Sequence, residues 1–176
     1  VASRDSDAAL LPPAPGAVHV LTTDTLISGV HFFPDDPPAL VARKLLRVNL
    51  SDLAAMAAQP VAYLMALALP SECDETWIEA FASGLALDQE EFGIGLLGGD
   101  TTATPGPLSA TITAIGVVPT GAELRRSGAR PGDAVFVSGT LGDAALGLMA
   151  LGGELSELAE AETDELIDRY RLPRPR

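Results

Sequence analysis

One cysteine, one lysine and two histidines stand in a chain of 176 residues. The single thiol, Cys73, excludes an intramolecular disulfide and any zinc site built on several cysteines. Its position just before an expected helix reads as that of a small, inert packing residue. The single lysine, Lys44, lies in no P-loop pattern, and the signature set of protein kinases is missing too. Long apolar runs are also wanting. The longest, Val61 to Leu69, is too short to cross a bilayer. No basic-then-apolar leader opens the chain, so the expectation is a soluble, cytoplasmic protein without a membrane partner. Positive charge is scarce: 11 basic residues face 24 acidic ones, for a net charge of -13. Such a surface repels a phosphate backbone and argues against a nucleic-acid partner. A phosphorylated small molecule stays open, provided metal ions or well-placed arginines stand between the charges.

What is present is ample apolar content, 47%, enough for a packed core. The length fits one domain, or one domain and the start of another. After the turn at Pro12–Gly16, a first strand is expected from about Ala17 to Asp24. Asp36, among prolines, reads as the cap of a helix from Pro38 to about Ala58. Val41, Leu45, Val48 and Met56 fall on one stripe of that helix, and Asp52 shares it, with Asn49 beside it. A carboxylate on a core-facing line is costly unless paired or bound to metal. Val61 to Leu69 reads as a buried strand. Asp74 caps a second helix, about Glu75 to Phe92, with Ile78, Phe81, Ala82 and Leu85 inward, Trp77 in its first turn as a core or staple residue and Gly93 as its stop. A strand begins at Ile94. Leu108 to Val118 alternates with period two, Leu108, Ala110, Ile112 and Ala114 against Ser109, Thr111 and Thr113. A strand over Ala134 to Ser138, a helix through Leu151 and an acidic helix from about Glu162 to Arg171 complete the pattern. The last residues, Leu172 to Arg176, read as a linker. Strands mixed with helices give an α+β or α/β fold.

Two of these strands run into oxygen donors. The first ends Thr22-Thr23-Asp24-Thr25, with Gly29 and His31 following, and the third ends Gly98-Gly99-Asp100-Thr101-Thr102. If those strands are neighbours, Asp24 and Asp100 approach each other and Asp52 joins them from its helix. Two carboxylates about 5 Å apart repel by roughly 3 kcal/mol at an effective dielectric near 20, so such a group takes up a proton or a cation. Hydroxyls and carboxylates without a His or Cys cluster favour Mg²⁺. Gly98 and Gly99 allow a phosphate close to the backbone. Arg125, Arg126 and Arg130 are the candidate arginines.

Five segments, in order and at fitting spacing, carry a resemblance: Leu21 to Phe32, Val48 to Met56, Leu97 to Thr102, Arg126 to Asp133 and Ser138 to Ala145. Together they resemble the thiamine-monophosphate kinases of the aminoimidazole ribonucleotide synthetase-like superfamily. The resemblance implies an α+β fold, a mixed or antiparallel sheet with helices packed on one face. It divides the chain into an amino-terminal ATP- and Mg-binding, dimerising domain, 1–138, and the start of a second, 139–176. It implies ATP-dependent phosphorylation of thiamine monophosphate to thiamine diphosphate by direct in-line transfer, in a homodimer whose sheets join into a barrel. Position by position, Asp7, Thr22, Thr23, Asp24, Asp52 and Asp100 correspond to ligands of several Mg²⁺ ions. Gly99 and Arg126 correspond to ATP contacts and His31 to a substrate contact, with no catalytic residue beyond the metal ligands.

The departures are specific. Asp5-Ser6-Asp7 stands where the family has Gly-Asp-Asp, Ala103 to Pro107 replaces an Arg-Gly-Pro, and Ala57 replaces a glycine. Only the opening of the family's second domain is present. Two other readings are therefore carried: a non-catalytic dimerisation and metal-binding module, and another superfamily member of selenophosphate synthetase or hydrogenase-maturation type. The missing reactive Cys or Lys near the amino terminus speaks against selenophosphate chemistry.

Overall fold

The structure, a computed structural model, describes residues 8–12 and 14–176. Period-two alternation in the last third of the sheet region becomes strand β4 (Ser109–Pro119), whose Ala110, Ile112 and Ala114 are fully buried. Around it the sheet takes the order β1-β4-β2-β3, with β1 spanning Ala17–Ile27, β2 Gln59–Leu69 and β3 Gly95–Ala103. β4 is antiparallel to both its neighbours, while β2 and β3 run parallel. Helices α1 (Pro38–Ala55) and α2 (Glu75–Phe92) pack on each other, and α1 lies on the sheet. The result is the expected mixed sheet with helices on one face.

β1 and β3 extend further than expected. The oxygen donors lie within the strands rather than past their ends. Threonine's branched Cβ suits a pleated strand, and Thr25 meets Thr111 across the ladder, hydroxyl to hydroxyl at 2.8 Å. The β1 and β3 edges are separated by two strands, so the expected adjacency of Asp24 and Asp100 does not occur.

α1 turns a different stripe to the core. Leu46, Leu50 and Leu53 are buried beside Val41, Ala42 and Leu45, whereas Asp52 is exposed. A helix apolar over most of its circumference offers two stripes a residue apart, and the sheet selects the one made of leucines. Asn49 is buried and donates to the Leu45 carbonyl at 2.9 Å rather than standing beside Asp52. The helix ends at Ala55 because Ala57 takes a left-handed backbone, φ 57°. Asp36 is not the cap, which is Pro37; it accepts the Phe33 N–H at 2.9 Å and closes the preceding turn.

α2 begins and ends where expected. Asp74 accepts the Trp77 N–H at 2.8 Å, and Gly93, at φ 64°, supplies the left-handed stop. Phe81 and Leu85 face inward, and Trp77 stacks on Phe81 with ring centroids 5.0 Å apart. Ile78 and Ala82 are exposed instead, their places on the inner face taken by Gly84 and Asp88. Past β4 the chain holds a single 3-10 turn, Arg126–Gly128, then α3 (Asp143–Leu151) and α4 (Glu160–Arg171), packed together. The strand expected over Ala134 to Ser138 does not form. Val135 and Phe136 are 92% and 90% exposed, and no described strand lies beside them. A strand without a partner leaves its backbone groups to water.

Candidate functional site

Alternation along β1 sends its oxygen donors to opposite faces. Asp24 lies opposite the buried Ile112 and Thr22 opposite Ala114, so both face the helices. There Thr22 Oγ1 donates to Asp52 Oδ2 at 2.6 Å, tying the strand to α1. Burial pushes the Asp24 carboxyl above its ordinary value, the Asp52 carboxylate pushes it further, and His31 opposes both. Thr22, Asp24, Asp52 and His31 therefore form one group at the seam of β1 and α1.

His31 is held by its ring. Its Nδ1 accepts the Ile27 N–H at 3.0 Å, so in the neutral imidazole the proton sits on Nε2, free to donate to a ligand. Thr23 belongs to the other face, where it donates to the Ile112 carbonyl at 3.1 Å and meets Thr113 at 3.2 Å.

Asp100 lies apart from this group. It pairs in register with Ala66, and through it with Thr111 and Thr25, on the face opposite to Asp24 and at the other edge of the sheet. Three strand spacings place the two edges about 14 Å apart. Among the described residues no three His, Cys, Asp or Glu side chains converge to hold a metal ion. Gly99 sits beside Asp100 because a Cβ there, at φ 158°, would come within 1.7 Å of the Met65 carbonyl oxygen. Gly98, Gly99, Asp100, Leu96, Thr101 and Met65 line a shallow hollow of about 300 Å³. Arg126 lies in the exposed 3-10 turn beyond β4. Asp7 falls outside the described residues.

One charged group escaped the sequence reading. Asp88, fully buried on α2, takes two bonds from Arg47, at 2.6 and 2.9 Å, and one from Arg43 at 2.8 Å. Those bonds to Asp88 hold the Arg47 guanidinium above its usual value. The signal was available, since Asp88 continues the stripe of Phe81 and Leu85, the pattern that singled out Asp52.

Comparison with known proteins agrees with this architecture. A thiamine-monophosphate kinase of Caulobacter vibrioides is 49% identical over 97% of this chain and 47% of its own length. A crystal structure of thiamine-monophosphate kinase from Stenotrophomonas maltophilia superposes with a TM-score of 0.90 at 45% identity, over 100% of this chain and 56% of that one. A solved complex, AaThiL with AMPPCP and TMP, gives a TM-score of 0.84 at 34% identity, over 97% of this chain and 53% of its own. The chain spans about half the length of the curated relatives it matches. The family model described as AIR synthase related protein, N-terminal domain, matches residues 5–118, and by that match the chain belongs to the AIR synthase related protein family.

Proposed function

We propose that this chain is the amino-terminal part of an ATP-dependent kinase that phosphorylates thiamine monophosphate to thiamine diphosphate. The observation that carries the reading is the facing pair Asp24 and Asp52, with Thr22 bonded to one and His31 close to the other. A half-buried carboxyl held above its ordinary value, with a second carboxylate beside it, is a place for a cation, and its hard oxygen donors fit Mg²⁺. Magnesium held there would neutralise charge on transferring phosphate oxygens. Asp24 and Asp52 supply its carboxylates and Thr22 an uncharged oxygen. His31 presents Nε2 to an acceptor oxygen, and the glycines before Asp100 let a nucleotide phosphate approach the backbone. The names of the similar proteins, and the AMPPCP and TMP of one solved complex, support this substrate pair.

The same reading needs Asp100 near Asp24, which one chain does not provide. β1 is an edge strand, so Asp24 stands at the rim of the sheet, within reach of a second copy. In a homodimer, Asp100 of the partner subunit completes the set. Asp7, Thr23, Gly99 and Arg126 keep their proposed roles as metal or ATP contacts. The unit that does this work ends near residue 138, and α3 and α4 open the next. A cytoplasmic location goes with the substrates, and among the described residues no helix is long and apolar enough to cross a membrane.

Conversion of thiamine monophosphate to thiamine diphosphate with ATP and Mg²⁺ tests the activity. Asp24→Asn and Asp100→Asn should each abolish turnover, and an equimolar mixture should regain about a quarter of it, since half the dimers then carry one intact site. Mg²⁺ binding and dimerisation without turnover would favour the non-catalytic module. A mixture as dead as its components would remove the shared site.

A further inference from the structure

Lys44, the chain's only lysine, takes no part in the site as described so far. Its Nζ donates to the carbonyl oxygen of His31 at 2.8 Å. The Tyr170 hydroxyl, from the end of α4, donates to the same oxygen at 3.3 Å. The ammonium also stands 3.6 Å from the centroid of the Tyr170 ring, and that ring meets Phe33 edge-on at 6.1 Å. Beside them Arg171 Nε donates to the buried Asp36 Oδ1 at 2.6 Å, fastening the last turn of α4 to the turn before α1. Two side chains, one from α1 and one from the end of α4, thus close on one backbone carbonyl. On its other side the same residue is fixed through Nδ1 by Ile27.

We propose that Lys44 and Tyr170 are positioning residues: their joint grip on the His31 carbonyl sets where His31 Nε2 points, and makes that direction depend on α4 being docked. The inference rests on the reading of His31 as a substrate contact. It deepens that reading by making a helix beyond the sheet unit part of the machinery. A residue held at both its carbonyl and its ring is pre-organised, so the ligand need not order it on binding. The groups that face Lys44 are the His31 carbonyl, Tyr170, Asp36 and Arg171. Burial brings the ammonium down to about 8, with Asp36 opposing the shift and Arg171 adding to it. Above that pH the amine loses its attraction for the Tyr170 ring, and the grip loosens.

His19 and His31 are the only histidines, so the imidazole Hε1 region of an NMR spectrum holds two signals. A His31→Asn variant assigns them. Lys44→Met removes the cation, Tyr170→Phe removes only the hydroxyl, and Lys44→Arg restores a cation. Both removals should displace the His31 signal and leave that of His19 in place, and Lys44→Arg should return it most of the way. In the parent chain the His31 signal should move with a second midpoint near pH 8 that Lys44→Met lacks. An unmoved His31 signal in Lys44→Met and Tyr170→Phe, with helical circular dichroism intact, would overturn the grip. Thiamine monophosphate added with Mg²⁺ and ATP tests the other half, because a His31 signal indifferent to it removes the substrate role while the variant series still reports on the grip.

Discussion

Ala57 carries φ 57°, the one non-glycine residue with a positive φ among those described. The left-handed region brings Cβ against the following carbonyl at a cost of about 1–2 kcal/mol, which glycine avoids. The resemblance places a glycine at this position, and the backbone supplies the reason. Ala57→Gly should raise stability by about 0.5–1 kcal/mol once glycine's larger unfolded-state entropy is subtracted, measured as a higher urea midpoint at unchanged slope. At the same scale, Asp24 and Asp52 differ in what the sequence revealed. Asp24 stands out in the sequence because oxygen donors crowd where a strand is expected to end, whereas the structure carries the strand through them to Ile27. Asp52 was singled out for being on a core stripe, which it is not, yet Thr22 and Asp24 stand beside it.

At the scale of elements, α1 and α2 are fastened by a buried ionic cluster. Asp88 is wholly enclosed and Arg47 nearly so, with Glu91 accepting from Arg47 at 2.7 Å. Breaking such a pair leaves a buried charge without its counter-ion, so Asp88→Asn should lose about 3 kcal/mol in denaturant unfolding. Replacing both members together, Arg47→Met with Asp88→Leu, should cost far less. The same elements show what was readable. Capping and glycine chemistry put both ends of α2 in place, because those signals are local. Alternation gave β4 its buried face for the same reason. Strand order is a property of the whole sheet. Nothing within β1 or β3 tells that β4 and β2 come between them or that Asp24 and Asp100 take opposite faces, and the supposed meeting of the two failed on those points. The strand expected around Val135 was misread for a related cause. Its composition is that of a strand, but composition does not supply a neighbour.

At the scale of the molecule, the sheet has one covered face. The other shows Leu21, 64% exposed, and Leu64 above the threonine pairs. If a second copy covers this face, sedimentation should give twice the 18.1 kDa of one chain. A Leu21→Glu, Leu64→Glu double variant should run as a monomer that keeps its helical signal. A dimer that survives both charges would move the contact elsewhere. The solitary lysine has a different sequel. An endoprotease specific for lysine finds one bond to cut, between Lys44 and Leu45, in the middle of α1 with Leu45 fully enclosed. Scission must wait until that helix leaves the sheet, so at protease levels where cleavage outpaces reclosing the appearance of two fragments is a clock for how often the central layer opens.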